Sequence, residues 1–114
     1  MNSAFLDNWA TQLRKGVLEL CILNAMDGAD VYGYDIVKQL SRINALVIRE
    51  GTIYPILSRL KREGLVTTSL VESTEGPARK YYALTQQGKQ YLKRMNHDWQ
   101  NITQGVQTLR TNRS

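Results

Sequence analysis

The stretch EGTIYPILSRLKREGLV, residues 50–66, decides the fold of this chain. Apolar side chains recur in it at helical spacing, which predicts a helix with one buried face. They are Ile53, Ile56, Leu57 and Leu60. We expect the helix to begin after Gly51 and Gly64 to follow its last turn. Pro55 is then expected in the first turn, where no backbone N–H has a helical partner. The outward face is polar and basic, with Thr52, Tyr54, Ser58, Arg59, Lys61 and Arg62.

Directly downstream the pattern changes from helix to strand. Residues 66–72 and 80–84 are rich in Val, Thr, Tyr and Leu, which favour strands. The turn-forming residues 73–79 lie between them. The pattern predicts a two-stranded hairpin with a flexible tip, beside which the cations Arg79 and Lys80 can contact phosphate or a minor groove.

Upstream, the spacing predicts two further helices, over residues 4–26 and 30–43. Asp30 is the predicted N-cap of the second. Gly33, between Tyr32 and Tyr34, lies in its first turn, where glycine permits close approach of another backbone.

A long helix is predicted from the N-cap Thr85 to about residue 109. Its apolar residues are spaced 3, 4, 3, 4 and 3 apart, a heptad pattern. They are Leu92, Met95, Trp99, Ile102, Val106 and Leu109. About 25 helical residues span about 38 Å, so the helix overhangs a small domain and its stripe needs a partner. A second copy of the chain is the simplest partner, which predicts a homodimer.

The order helix, helix, helix, hairpin, long helix is that of a winged helix-turn-helix. The fold class is therefore mainly α with a small β-hairpin. We predict a DNA-binding domain over residues 1–84, whose first helix also contributes to dimerisation. Its third helix is expected to enter the major groove, with Ser58, Arg59, Lys61 and Arg62 reaching the DNA. Residues 85–114 form the predicted C-terminal dimerisation helix.

The composition agrees with a DNA-binding protein. The 114 residues carry a net charge of +5, which suits a polyanionic partner such as nucleic acid. A single cysteine, Cys21, excludes an internal disulfide and fits a reducing compartment. No secretory signal or membrane-spanning apolar window is visible, so we expect a cytoplasmic protein without a membrane partner.

Four segments in register resemble the PadR family of transcription regulators. They are QLRKGVLEL (12–20), YGYD (32–35), EGTIYPIL with LKREGL (50–57, 60–65), and GPARKYYALTQQG (76–88). The resemblance implies a dimer that represses transcription until an effector binds. It also implies that Tyr34, Thr52, Tyr54, Arg79 and Lys80 lie at or near DNA.

The single helix after the wing resembles the shorter members of that family. In some of them an aromatic, drug-like molecule binds between subunits, against a tryptophan of the last helix. Trp99 occupies such a position on the heptad stripe, and Trp9 and Asp98 are further candidates for effector contacts. The alternative is that Trp99 only fills the dimer interface.

We therefore predict a ligand-responsive repressor that binds a palindromic operator as a homodimer, with half-sites about 34 Å apart. The alternative is a winged helix that binds another protein and no operator. No enzyme is predicted, because no nucleophile–base pair, paired catalytic carboxylates or phosphate loop is evident. No cofactor or metal is predicted either, since His97 has no visible second ligand.

Overall fold

The computed structural model describes residues 3–112, and the predicted winged-helix architecture is confirmed. The elements follow in the order α1 (Ala4–Ala25), β1 (Val31–Tyr32), α2 (Gly33–Ser41), a short 3-10 helix (Asn44–Leu46), α3 (Glu50–Arg62), β2 (Val66–Ser73), β3 (Gly76–Leu84) and α4 (Gln86–Thr111).

The sheet has three antiparallel strands in the order β1-β3-β2, one more than predicted. In the added pairing, Val31 lies opposite Tyr82. A two-residue strand is too short to show an alternating pattern in the sequence. The prediction of Asp30 as N-cap is wrong for the same reason: β1 follows it, and Tyr32 is the N-cap of α2.

The tip of the hairpin is tighter than predicted. Ser73 pairs with Gly76, so only two residues form the turn, and most of the expected loop 73–79 belongs to β3. The register shifts by one between Val71 and Ser73, which leaves Pro77 and Ala78 opposite Glu72. Such a bulge suits proline, because an unpaired position needs no ladder N–H.

One hydrophobic core lies between α1, α2, α3, the sheet and the start of α4. The largest fully buried side chains are Ile22, Leu23, Met26, Ile36, Ile53, Leu57 and Leu60. The three from α3 belong to the set predicted from its spacing, so the helix is fixed from one side. Its polar side is left to solvent.

Helix α3 begins earlier than expected and ends as expected. Gly64 follows the last turn with a φ of +80°, a conformation that glycine adopts without strain. Pro55 lies in the second turn and not in the first. Because proline has no backbone N–H, the carbonyl of Gly51 does not receive the helical hydrogen bond that position 55 would otherwise donate. Both residues are exposed, and water can reach that carbonyl.

The start of α4 is fixed against the end of α3. The Thr85 hydroxyl accepts from the Gly88 N–H at 3.0 Å, as predicted for an N-cap, and donates to the Gly64 carbonyl at 2.7 Å. A Cβ at Gly88 would lie 2.0 Å from the carbonyl oxygen of Leu65. Only glycine allows this close crossing, which fixes the direction in which α4 leaves the domain.

Gly33 makes a similar close approach, but to side chains. A Cβ there would lie 3.0 Å from the Tyr82 ring and 3.3 Å from the Tyr54 ring. The expectation that another backbone approaches Gly33 is therefore wrong. The glycine instead lets α2, α3 and β3 meet through two tyrosines.

Helices α1 and α4 run side by side and are joined by a reciprocal amide pair. Asn24 and Asn96 each donate to the other at 2.9 Å. On the α4 heptad pattern, Leu92 is buried in this chain's own core at 3% exposure, and Met95 packs partly against it. These two positions, predicted for the dimer contact, thus pack within the subunit.

Beyond this point both helices expose apolar side chains. We call this set the apolar stripe: Phe5, Leu6, Trp9 and Leu13 of α1, with Trp99, Ile102, Val106 and Leu109 of α4. Leu13 and Ile102 line one cavity, so the two helices contribute to a common face.

Candidate nucleic-acid interface

The polar side of α3 presents most of the predicted contact residues to solvent. Thr52, Ser58, Lys61 and Arg62 are all exposed. Ser58 and Arg62 are four residues apart and therefore lie on one face of the helix. Their hydroxyl and guanidinium groups provide donors for phosphate oxygens or base edges.

Tyr54 lies at the edge of this face and is half-buried against Gly33. Burial raises the pKa of its phenol, and the Glu50 carboxylate raises this pKa further. A tyrosine phenol is protonated at neutral pH even without such a shift, so the hydroxyl has a hydrogen to donate to an acceptor such as phosphate.

Arg59 does not point outward as predicted. Its guanidinium lies 2.5 Å from the Glu19 carboxylate of α1 and 4.0 Å from that of Glu63. Helical geometry accounts for the difference, because position 59 lies on the flank of α3 that faces α1. This cation joins α3 to α1, and its charge is largely compensated.

The wing keeps both of its predicted cations exposed, on β3. Lys80 is free to reach outward. The Arg79 guanidinium lies 5.0 Å from the ring centre of Tyr32, within the range of a cation–π contact. That contact ties the wing to the residue that precedes α2.

Tyr32 is a residue that the site prediction missed. Its ring also lies 6.2 Å from that of Tyr34 and 5.9 Å from that of Tyr81. Tyr34 is exposed, and the Lys38 amine lies 5.6 Å from its ring. The contacts of Tyr32 with Tyr81 and Arg79 depend on the β1–β3 pairing, which places Tyr32 opposite Tyr81 and was not visible in the sequence.

Of the three residues predicted to contact an effector, Trp99 and Asp98 lie at one cavity in the structure and Trp9 lies apart from it. Trp99, 39% exposed, borders two open cavities, one of about 480 Å³ between α1, α2 and α4 and one of about 400 Å³ between α1 and α4. Asp98 lines the smaller one, but both of its carboxylate oxygens accept from Arg94 at 3.1 Å. Trp9, 57% exposed, lines neither cavity.

Two other features are absent from residues 3–112. No cluster of three or more His, Cys, Asp or Glu side chains within that range is arranged to hold a metal ion. Over the same range, no helix combines the length and the apolarity needed to cross a bilayer.

The fold and this surface define the class of the protein. A helix pair, α2 and α3, with a basic exposed face and an adjoining cationic β-hairpin is a winged helix-turn-helix. The profile of the "Transcriptional regulator PadR-like family" matches residues 22–94. The chain belongs to the PadR family, whose members are DNA-binding regulators of transcription and not enzymes.

Solved structures agree with this assignment. A PadR-like transcriptional regulator from Bacillus cereus is 36% identical with a TM-score of 0.80, and the match covers 90% of this chain and 99% of that one. A PadR-like transcription factor from Bacteroides fragilis is 39% identical with a TM-score of 0.74, covering 90% of this chain and 98% of that one.

Sequence relatives include the transcriptional regulator YqjI of Escherichia coli, 34% identical over 79 residues. That match covers 68% of this chain but only 36% of YqjI. An uncharacterised protein of Lysinibacillus sphaericus is 31% identical over 77% of this chain and 83% of its own length.

Proposed function

We propose that the protein is a homodimeric repressor that binds a palindromic operator and releases it when a small aromatic effector binds. The observation that carries this proposal is the pairing of two surfaces on one small domain. One is the exposed basic face of α3 with its neighbouring wing. The other is the apolar stripe.

The exposure of the stripe supports dimerisation. Leu109 is 78% exposed and Phe5 75% exposed, and both lie on a face with six further large apolar side chains. Contiguous apolar surface of this kind usually marks a protein contact, because leaving it in water is unfavourable. The dimerisation contact then comprises Trp99, Ile102, Val106 and Leu109 of α4 together with α1, without Leu92 and Met95.

Residues 1–84 then bind DNA, with α1 also contributing to the dimer contact, and residues 85–114 form the dimerisation helix, but the two parts do not pack as separate units. Leu92 of α4 lies in the same core as α3, so the start of α4 is part of the winged domain. A shift of α4 at the dimer contact is therefore transmitted through this core to the recognition helix α3.

On DNA, α3 enters the major groove and the wing lies along the adjoining backbone. Ser58, Lys61 and Arg62 then face bases and phosphates. Tyr34, Thr52 and Tyr54 donate to phosphate oxygens, and Arg79 and Lys80 contact the backbone or the minor groove. Arg59 contributes less, since Glu19 already compensates its charge. Two such units meet successive major grooves about 34 Å apart.

The test is binding of the purified protein to the DNA upstream of its own gene and to a random duplex of equal length. Arg62→Gln should weaken binding to the upstream DNA more than to the random duplex. Lys80→Gln should weaken both and lower the salt slope by about 1. The matched control is Lys93→Gln, an exposed cation of α4.

Equal affinity of the wild-type protein for both duplexes would contradict operator binding. Unchanged binding by the Arg62 and Lys80 variants would favour a winged helix that recognises another protein.

The effector proposal is supported by the position of Trp99 at two cavities large enough for an aromatic molecule. Titration of the DNA-free protein with ethidium should quench the fluorescence of Trp99 through stacking. Trp9→Phe is the matched control, because Trp9 lines neither cavity and phenylalanine keeps an apolar ring in the stripe. Ethidium binding that is unchanged in Trp99→Ala would exclude an effector site at this tryptophan.

A further inference from the structure

A basic cavity of about 320 Å³ opens between α1 and the beginning of α3, beside the face described above, with which it shares Thr52. Arg14 and Lys15 contribute to it from α1, and Arg49 contributes from the residue that precedes α3. The hydroxyls of Thr11 and Thr52 complete its polar lining. Three cations thus surround one opening, although they come from distant parts of the chain.

The charge of this cavity is uncompensated. None of its lining residues carries a carboxylate. Among the described residues, Arg14, Lys15 and Arg49 form no ion pair, and Arg14 is held only by the Thr11 hydroxyl at 3.4 Å. Arg59 and Arg94, by contrast, each have a carboxylate partner. Like charges held together repel one another, so the cavity favours an anion.

The cavity remains open when the stripe is covered. At 100° per residue, Thr11, Lys15 and Leu18 share one side of α1, and Leu13 lies on the opposite side. A second copy seated on the apolar stripe therefore leaves the basic cavity in solvent. The cavity opens instead beside Thr52, an exposed residue of the recognition helix.

We propose that this cavity binds a backbone phosphate of the DNA, flanking the groove that α3 enters. The inference rests on the proposed function, since it requires α3 to dock in a major groove. The Arg49 guanidinium and the Lys15 amine supply charged donors, and the Thr52 hydroxyl supplies a neutral one. Helix α1 is then a third DNA-contacting element beside the helix-turn-helix and the wing.

The test uses the double variant Lys15→Gln/Arg49→Gln of the full chain. Its matched control, Lys93→Gln/Arg110→Gln, also removes two exposed cations but leaves the cavity intact. Affinity for a random duplex is measured from 50 to 200 mM KCl, because phosphate contacts are independent of sequence. We expect the cavity variant to lose about 1 to 2 in salt slope and roughly tenfold in affinity. A slope equal to that of the control would overturn the proposal.

Two further measurements distinguish the sources of the phosphate. Single neutral methylphosphonates placed along the duplex should weaken the wild-type protein at one flanking position, and the cavity variant should be insensitive there. Conversely, thermal stabilisation by inorganic phosphate that disappears in the cavity variant, with an unchanged salt slope, would identify a small-anion site and overturn the DNA contact. If the wild-type protein binds no duplex at all, the proposed function itself fails.

Discussion

The recognition helix and the distal part of α4 have similar apolar patterns but opposite surroundings. Leu57 of α3 is fully buried, whereas Ile102 of α4 is 61% exposed, and each belongs to a row with helical spacing. The rows differ in what lies opposite them within the chain. α3 packs on α1, α2 and the sheet, while α4 projects beyond this core, and the whole molecule, α4 included, is 62 Å long. Spacing therefore indicates which face of a helix must be covered, and it does not indicate whether the cover comes from the same chain.

The largest effect should come from the buried row. Leu57→Ala removes a fully buried side chain, and we expect the free energy of unfolding to fall by about 2–5 kcal/mol, since transfer and cavity terms add. Urea denaturation at a protein concentration low enough to keep subunits apart gives this value.

The control for this change is Leu109→Ala, the same substitution at a side chain that is 78% exposed. It should change monomer stability by less than about 0.5 kcal/mol. Similar losses at both positions would mean that the distal part of α4 folds back onto its own subunit.

This comparison also shows how much of the molecule could be predicted. Features set by local chemistry were correct, such as the Thr85 N-cap and the Gly64 helix end, because both depend on backbone groups a few residues away. Features set by distant partners were missed. The strand β1 exists only through its pairing with β3, and Arg59 turns inward only because Glu19 of another helix meets it.

The candidate site divides in the same way. The exposed cations Lys61, Arg62 and Lys80 were identified from residue type and helical or strand phase. The basic cavity was not, because Arg14 and Arg49 are 35 positions apart and only the α1–α3 packing brings them to one opening.

A second prediction tests what covers the stripe. Ile102→Ser removes apolar area whose burial stabilises the contact by about 1.5 kcal/mol per subunit. A twofold contact contains this residue twice, so the free energy of dimerisation weakens by about 3 kcal/mol. The dissociation constant of the dimer should therefore rise about 100-fold, as measured by sedimentation equilibrium.

Gln104→Ser, an exposed polar residue of the same helix, is the control and should leave self-association unchanged. A wild-type protein that sediments as a single subunit at micromolar concentration would show that a different partner, or none, covers the stripe.

The smallest effect concerns the ion pair that joins the recognition helix α3 to α1. Arg59→Gln should cost at most about 1 kcal/mol of stability, because both partners are more than one third exposed and solvent screens the attraction. A double-mutant cycle with Glu19→Gln gives the coupling energy directly.

The consequence for DNA binding is larger, since a guanidinium already paired with a carboxylate has little charge left for phosphate. Arg59→Gln should therefore weaken binding to a random duplex less than Arg62→Gln does, and Glu19→Gln, which frees Arg59, should strengthen it. If Arg59→Gln and Arg62→Gln weaken binding equally, the Arg59–Glu19 ion pair must break when the protein binds DNA. The contact between α1 and α3 then changes each time the protein binds.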